Sequence, residues 1–306
     1  MKYKRILPYL IKVSDLLPRK NKVKQPYDEK ISDPFFIIGS GRNGSTLLAS
    51  MLNQHSKLMI TPEQWVLYEM IIKYKLFNFL PRKDIKNLVV GLISTRNSNN
   101  DWNTDFRPVL NRLEQIPDKE FSLRRIIHEI FIEQGRQNEQ EFEVWGDKSP
   151  INIIYLKYIY PIFRNSKYVF LLRDGRDVVS SFVKNTEKDF EFAVWKWNYS
   201  IKQYLWLKDR IPKNQLHFVR YEDLVDNTEK ILNDLIRFLG FKYEESMMNY
   251  RESIEYLQVA DKKHHENLKK DLTDNKIGVW NKRLSEDQIE QMFNKIKFNL
   301  ERFNYI

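Results

Sequence analysis

The most constraining stretch of the chain is short. Phe35-Phe36-Ile37-Ile38 is an apolar run bounded by Pro34 and by the turn Gly39-Ser40-Gly41-Arg42-Asn43-Gly44. Behind the turn, from Ser45 to Asn53, Leu47, Leu48, Met51 and Leu52 fall on one helical face. A buried strand feeding a glycine-rich turn and then a helix gathers backbone N–H groups and a helix N-terminus around one concavity, a natural phosphate cradle. The spacing follows the phosphate-loop pattern G-x-x-x-x-G-K-[ST] with one substitution. Ser45 stands where nucleotidases carry a lysine. That lysine neutralises the β- and γ-phosphates of a triphosphate, so its loss argues against ATP or GTP. A cation stands three residues earlier, at Arg42. Gly41, Arg42, Asn43, Gly44 and the hydroxyl pair Ser45 and Thr46 are therefore the first candidate anion ligands. An ordinary glycine turn would need neither the internal arginine nor the hydroxyls.

The rest of the chain supplies the frame. Short apolar runs at 58–60, 167–172 and 216–220 read as strands, and 143–150 as a strand or turn. Helical patterns lie between them. One starts at Thr61-Pro62-Glu63, with Thr as N-cap, Pro at the first position and Glu in the first turn, and runs through Tyr74. Others cover 151–160, 177–184, 190–205 and 227–239, the last stopped by Gly240. Strands alternating with helices predict an α/β fold: a P-loop-type, mainly parallel sheet with helices on both faces. Residues 82–140 are polar, with helical pieces at 84–93 and 122–134, and read as a helical insertion that shapes a substrate site. The expected organisation is a basic leader over 1–30 and a single domain over 31–306.

A second anion site is expected at Arg173. The apolar run at 167–172 ends in Arg173-Asp174-Gly175-Arg176-Asp177, and Ser181 follows Arg173 by eight residues on the next helix. An arginine at the C-terminal edge of a strand can fork onto a phosphate, and open α/β sheets bind ligands at those strand ends. A magnesium-binding aspartate at Asp174 is the competing reading, but an arginine just before it suits a phosphate better. Arg176 and Asp177 read as a salt-bridged cap of the helix.

Taken together, the two segments resemble the sulfotransferases that use 3′-phosphoadenosine 5′-phosphosulfate (PAPS). In that family the loop wraps the 5′-phosphate, and a Lys or Arg at the Arg42 position touches the sulfated phosphate. The Arg-x₇-Ser spacing holds the 3′-phosphate, which the resemblance places on Arg173 and Ser181. The branch that includes protein-tyrosine sulfotransferases carries a catalytic Glu 21 residues after the loop arginine, the spacing from Arg42 to Glu63. The resemblance thus implies Glu63 as general base, although glutamate is also favoured in any first helical turn. A free Glu titrates at about 4.3, so partial burial would have to raise it. Gly146-Asp147-Lys148-Ser149-Pro150 is similar to the Asn-Lys-Asp-Pro segment of that branch, which implies that Lys148 supports charge on the bridging oxygen. Read without the resemblance, Lys148 is a surface lysine in a turn. Tyr221, in Arg220-Tyr221-Glu222-Asp223-Leu224, resembles a tyrosine near the adenine, and Lys270, ten residues before Trp280, resembles a donor-contacting lysine of the closing loop. Val279 departs from the family's Arg or Lys after Gly278. Other branches use a mid-chain histidine, but His128, among Ile126, Ile127, Ile130 and Phe131, and His55, at the end of the loop helix, read as structural.

The expected activity is sulfuryl transfer from PAPS to a hydroxyl, leaving adenosine 3′,5′-bisphosphate, with no metal implied. A glycan or small metabolite is the preferred acceptor; a small alcohol, a phenol or a tyrosine are the others. A P-loop kinase or NTPase is a second reading, and a non-catalytic basic module for nucleic acid or membrane a third. There are no cysteines, which excludes disulfides, thiolate metal sites and a cysteine nucleophile. No run of about 18 apolar residues occurs, so no spanning helix is expected. The net charge of +10 first suggests a polyanionic partner. Residues 1–24, however, hold eight basic side chains and one acid, a net of +7, which leaves only +3 on the other 282 residues. The charge describes the leader, and no nucleic-acid surface is expected. A cytoplasmic enzyme is expected, with the leader either solvated or resting weakly on a membrane surface.

Overall fold

β1 (Phe35–Ile38) has no side facing water. Phe36 and Ile38 point into one core, and Phe35 and Ile37 into another. β4 (Lys167–Leu172) alternates the same way, with Tyr168, Phe170 and Leu172 on the first face and Val169 and Leu171 on the second. Such strands are unbroken apolar runs because both faces of a parallel sheet are covered. The computed structural model describes residues 21, 32–96, 102, 104–186, 188–253, 257 and 277–306. Its sheet has five parallel strands in the order β2-β3-β1-β4-β5, with β2 Leu58–Ile60, β3 Val144–Asp147 and β5 Leu216–Arg220. Phe36 lies opposite Asp147 and Ile38 opposite Phe170, so β1, β3 and β4 release their chains at one edge of the sheet.

α1 (Ser45–Leu52) and the helix Thr228–Leu239 cover the second face, with Leu48, Met51, Leu232 and Ile236 buried there. On the first face lie α2 (Leu67–Leu76), α3 (Arg82–Arg96), α4 (Arg107–Gln115), α5 (Leu123–Gln137), α6 (Leu156–Ile159), α7 (Gly175–Asn185) and α8 (Phe190–Lys208). The last helix, Glu286–Arg302, starts at a capping box on Ser285 and also packs there. Among the described residues no helix is long and apolar enough to cross a membrane.

Three expectations are corrected. The helix after β2 does not start at Thr61. Residues 61–66 are irregular, and α2 begins at Leu67. The Thr61 N–H is taken by Gly146 O at 3.3 Å, which prolongs the sheet instead. Capping falls to the Gln64 side chain, whose Oε1 accepts from the N–H groups of Val66 and Leu67 at 2.9 and 2.7 Å. Glu63 therefore sits in a loop and owes nothing to a helix dipole. The helix read at 151–160 shrinks to Leu156–Ile159, preceded by turns. The segment 82–140 is not a polar addition. Ile85, Val89, Ile93, Val109, Leu113, Ile127 and Ile130 are wholly buried in the core on the first face. Its polar side chains pair between helices, as Arg112 does with Glu129 at 2.8 Å and with Glu133 at 2.6 Å.

Candidate active site

The turn after β1 uses a backbone that few residues tolerate. Gly41, Arg42 and Gly44 have φ of 76°, 56° and 90°. Left-handed residues in succession turn their N–H groups toward one concavity. Only glycine fits at Gly44, where a Cβ would lie 2.2 Å from the Tyr221 ring. Arg42 adopts the left-handed conformation without being glycine, a strain that accompanies functional turns. The buried Asn43 side chain donates to Leu171 O at 2.7 Å and ties the loop to β4. It is a strut, so only its backbone is available to an anion. Ser45 opens α1 at the mouth of the turn, and Thr46 is buried behind it.

Arg173 leaves β4 beside this loop. Its Nη1 donates to Arg42 O at 3.2 Å, its guanidinium stacks on the Tyr221 ring at 4.5 Å, and Nη2 lies 3.8 Å from Asp177. Arg42 Nε donates to Ser181 Oγ at 3.2 Å. Arg42, Arg173, Ser181 and Tyr221 are thus one cluster built from three segments. Burial and the neighbouring Arg173 cation pull the Arg42 pKa down, with Glu63 opposing. Two guanidinium groups held this close in a partly dry pocket suit a bound anion, which would relieve their repulsion.

The flanking charges are structural. Arg176 is clamped by Asp174 at 2.6 Å, donates to Tyr305 O and stacks on Trp280 at 5.1 Å. Asp177 accepts from the N–H groups of Gly278 and Trp280 at 2.8 and 3.1 Å, so it anchors the segment that follows residue 276. Its carboxyl is pushed up by burial and held back chiefly by Arg173. That anchoring role escapes sequence reasoning because its partners lie a hundred residues away. Lys270 falls outside the described residues.

The second half of the site forms across β2 and β3. Lys148 Nζ donates to Glu63 Oε1 at 2.7 Å and to Thr46 Oγ1 at 3.2 Å. Lys148 is 1% exposed, which corrects its reading as a surface lysine, while the Glu63 side chain keeps 18% of its surface open. A lysine is buried this deeply only when paired. The histidines are occupied elsewhere: His128 Nδ1 accepts from Trp145 Nε1 at 3.0 Å, and His55 bonds to Lys242 O at 2.9 Å.

A hydroxyl-lined glycine turn with its own arginine, a second arginine at the end of β4 and a Lys–Glu pair thus meet beyond the C-terminal ends of parallel strands. The Sulfotransferase family matches residues 34–245, a span that includes the segment 82–140, and the chain belongs to that family. It is 23% identical to Protein-tyrosine sulfotransferase 1 of Danio rerio over 226 residues, 72% of this chain and 56% of the relative. To the Protein-tyrosine sulfotransferase of Drosophila melanogaster it is 23% identical over 252 residues, 80% of this chain and 45% of the relative. The chain spans about half the length of these curated relatives. Among solved structures, the sulfotransferase domain of the Synechococcus PCC 7002 olefin synthase has a TM-score of 0.59 at 21% identity, covering 90% of this chain and 98% of that one. At that identity the likeness establishes the shared fold.

Proposed function

We propose that the chain transfers a sulfuryl group from PAPS to a phenolic hydroxyl of the tyrosyl kind. The observation that carries this reading is the meeting of the Lys148–Glu63 pair with Thr46, on the same loop whose Arg42 adjoins Arg173 and Ser181. In this reading the backbone of Gly41–Thr46 and the Arg42 side chain receive the 5′-phosphosulfate, and Arg173 and Ser181 the 3′-phosphate. The acceptor oxygen forms a bond to sulfur as the bond from sulfur to the bridging oxygen breaks. The hydroxyl proton passes to Glu63, and Lys148 supports the charge growing on the bridging oxygen. Positioning and electrostatics do most of such work. Tyr221 lies under Arg173 and against Gly44, which supports reading it as the floor of the donor site.

Two observations favour a phenol over the glycan or metabolite expected first. The relatives above are named as protein-tyrosine sulfotransferases. The ground around the loop is also aromatic. Phe182 approaches Gly41, Phe192 packs on Phe182 at 5.9 Å, and Trp195 stacks on Tyr199 at 5.1 Å with 44% of its surface exposed. Flat apolar rims suit a ring better than a polyhydroxyl chain. Labelled PAPS offered with a tyrosyl peptide, a simple phenol and a glycan tests this. Label is expected on the phenolic acceptors. Label on the glycan alone would overturn the acceptor class, and label on none of them, with donor binding intact, would overturn the transferase reading.

A further inference from the structure

Glu63 and Lys148 reach the site from different strands, and each has a neighbour whose side chain turns inward. Gln64, next to Glu63, and Asp147, next to Lys148, are both wholly buried. Gln64 Nε2 donates to Asp147 Oδ2 at 2.7 Å. The amide cannot turn around, because its Oε1 already accepts from two backbone N–H groups that can only donate. Ser149 makes a second tie: its Oγ accepts from the Gln64 N–H at 2.9 Å and donates to Asp147 Oδ1 at 2.6 Å. The Ser149 N–H and Asn152 Nδ2 complete the set at 2.9 and 2.8 Å, so one buried carboxyl accepts four hydrogen bonds. Burial pushes the Asp147 carboxyl up, and these four bonds offset only part of that rise.

We propose that Asp147 and Gln64 are positioning residues, a buried brace that locks the chain leaving β2 to the chain leaving β3 and so fixes Glu63 against Lys148. The proposal rests on the reading of Glu63 and Lys148 given above. Neither brace residue touches the reacting atoms. Their leverage is geometric, since misplacing a catalytic group by about 1 Å can lower a rate by about 10²-fold.

A charge-swap cycle tests it. Asp147→Asn sets an amide N–H₂ against donors whichever way it turns, the Gln64 and Asn152 amides on one side or the Ser149 N–H on the other, and Gln64→Glu sets a second carboxyl against Asp147. Each single change should lower kcat by about 10²-fold and leave adenosine 3′,5′-bisphosphate affinity unchanged. The Gln64→Glu defect should shrink as pH falls, because facing carboxyls share a proton only when one is protonated. The double variant Gln64→Glu/Asp147→Asn moves the charge across the brace and restores a donor–acceptor match, so kcat should return to within about fivefold of wild type. Amide exchange over residues 61–67 and 149–152 should rise in each single variant and fall back in the double, which reads the brace without turnover. Single variants that keep kcat within about threefold, or a double variant no better than the worse single, would overturn the proposal. If a single variant fails to fold, the double variant decides: a folded double variant with kcat down by about 30-fold or more contradicts the brace. A wild-type chain that binds the bisphosphate but sulfates nothing would sink the functional reading, and the exchange measurement would still judge the brace.

Discussion

Glu63→Gln is expected to lower kcat by about 10²- to 10⁴-fold, the range that a positioned general base supplies, with bisphosphate affinity within a few-fold of wild type. The substitution keeps the shape of the side chain. The amide oxygen can still accept from Lys148 Nζ, which in the wild type meets Glu63 Oε1 at 2.7 Å. Lys148 therefore stays paired, and its contact with Thr46 is undisturbed. What is lost is the capacity to take a proton from the acceptor. The Glu63 side chain keeps part of its surface open, as contact with an acceptor requires. Single-turnover measurements with saturating donor separate the two steps. A variant that turns over within a few-fold of wild type would place the base elsewhere.

Arg173→Met is expected to weaken the bisphosphate by about 10- to 150-fold, the effect of losing one or two charge-assisted hydrogen bonds. The same change should barely alter binding of adenosine 5′-monophosphate, which lacks the 3′-phosphate. The discrimination between the two ligands is the informative quantity. Methionine keeps much of the apolar stem that packs on the Tyr221 ring, so the loop keeps its floor. The Nη1 bond to Arg42 O and the cation facing Asp177 disappear. Asp177 still accepts from Gly278 and Trp280, which holds the C-terminal segment in place. Competition titration of the two nucleotides measures the ratio. An unchanged preference for the 3′-phosphate would remove Arg173 from that role.

The parts of this site that the sequence discloses are the local ones. A strand buried on both faces and punctuated by glycine, such as Phe35–Ile38, shows itself in composition alone. The step from Arg173 to Ser181 is one strand end and two helical turns, so the spacing survives without tertiary knowledge. Glu63 was legible as a candidate by spacing but not by setting. Thr61-Pro62-Glu63 has every mark of a helix start, and a tertiary bond to Gly146 O outweighs that propensity. Gln64, Asp147 and Asp177 were invisible as participants, because their work depends on partners 83 to 103 residues away. The layer at 82–140 misled for another reason. Its helices expose long polar faces and pair Arg112 with glutamates of α5, so its mean composition hides a buried apolar stripe.

The most direct test of the account is thermal stabilisation by adenosine 3′,5′-bisphosphate, compared with adenosine 5′-monophosphate and Mg²⁺-ATP. A ligand at a hundredfold excess over Kd adds about 2.7 kcal/mol, which for a domain of this size raises Tm by about 4 °C. That rise is expected with the bisphosphate, a much smaller one with the monophosphate, and none of note with Mg²⁺-ATP. No shift with the bisphosphate, or an equal or larger shift with Mg²⁺-ATP, would contradict it.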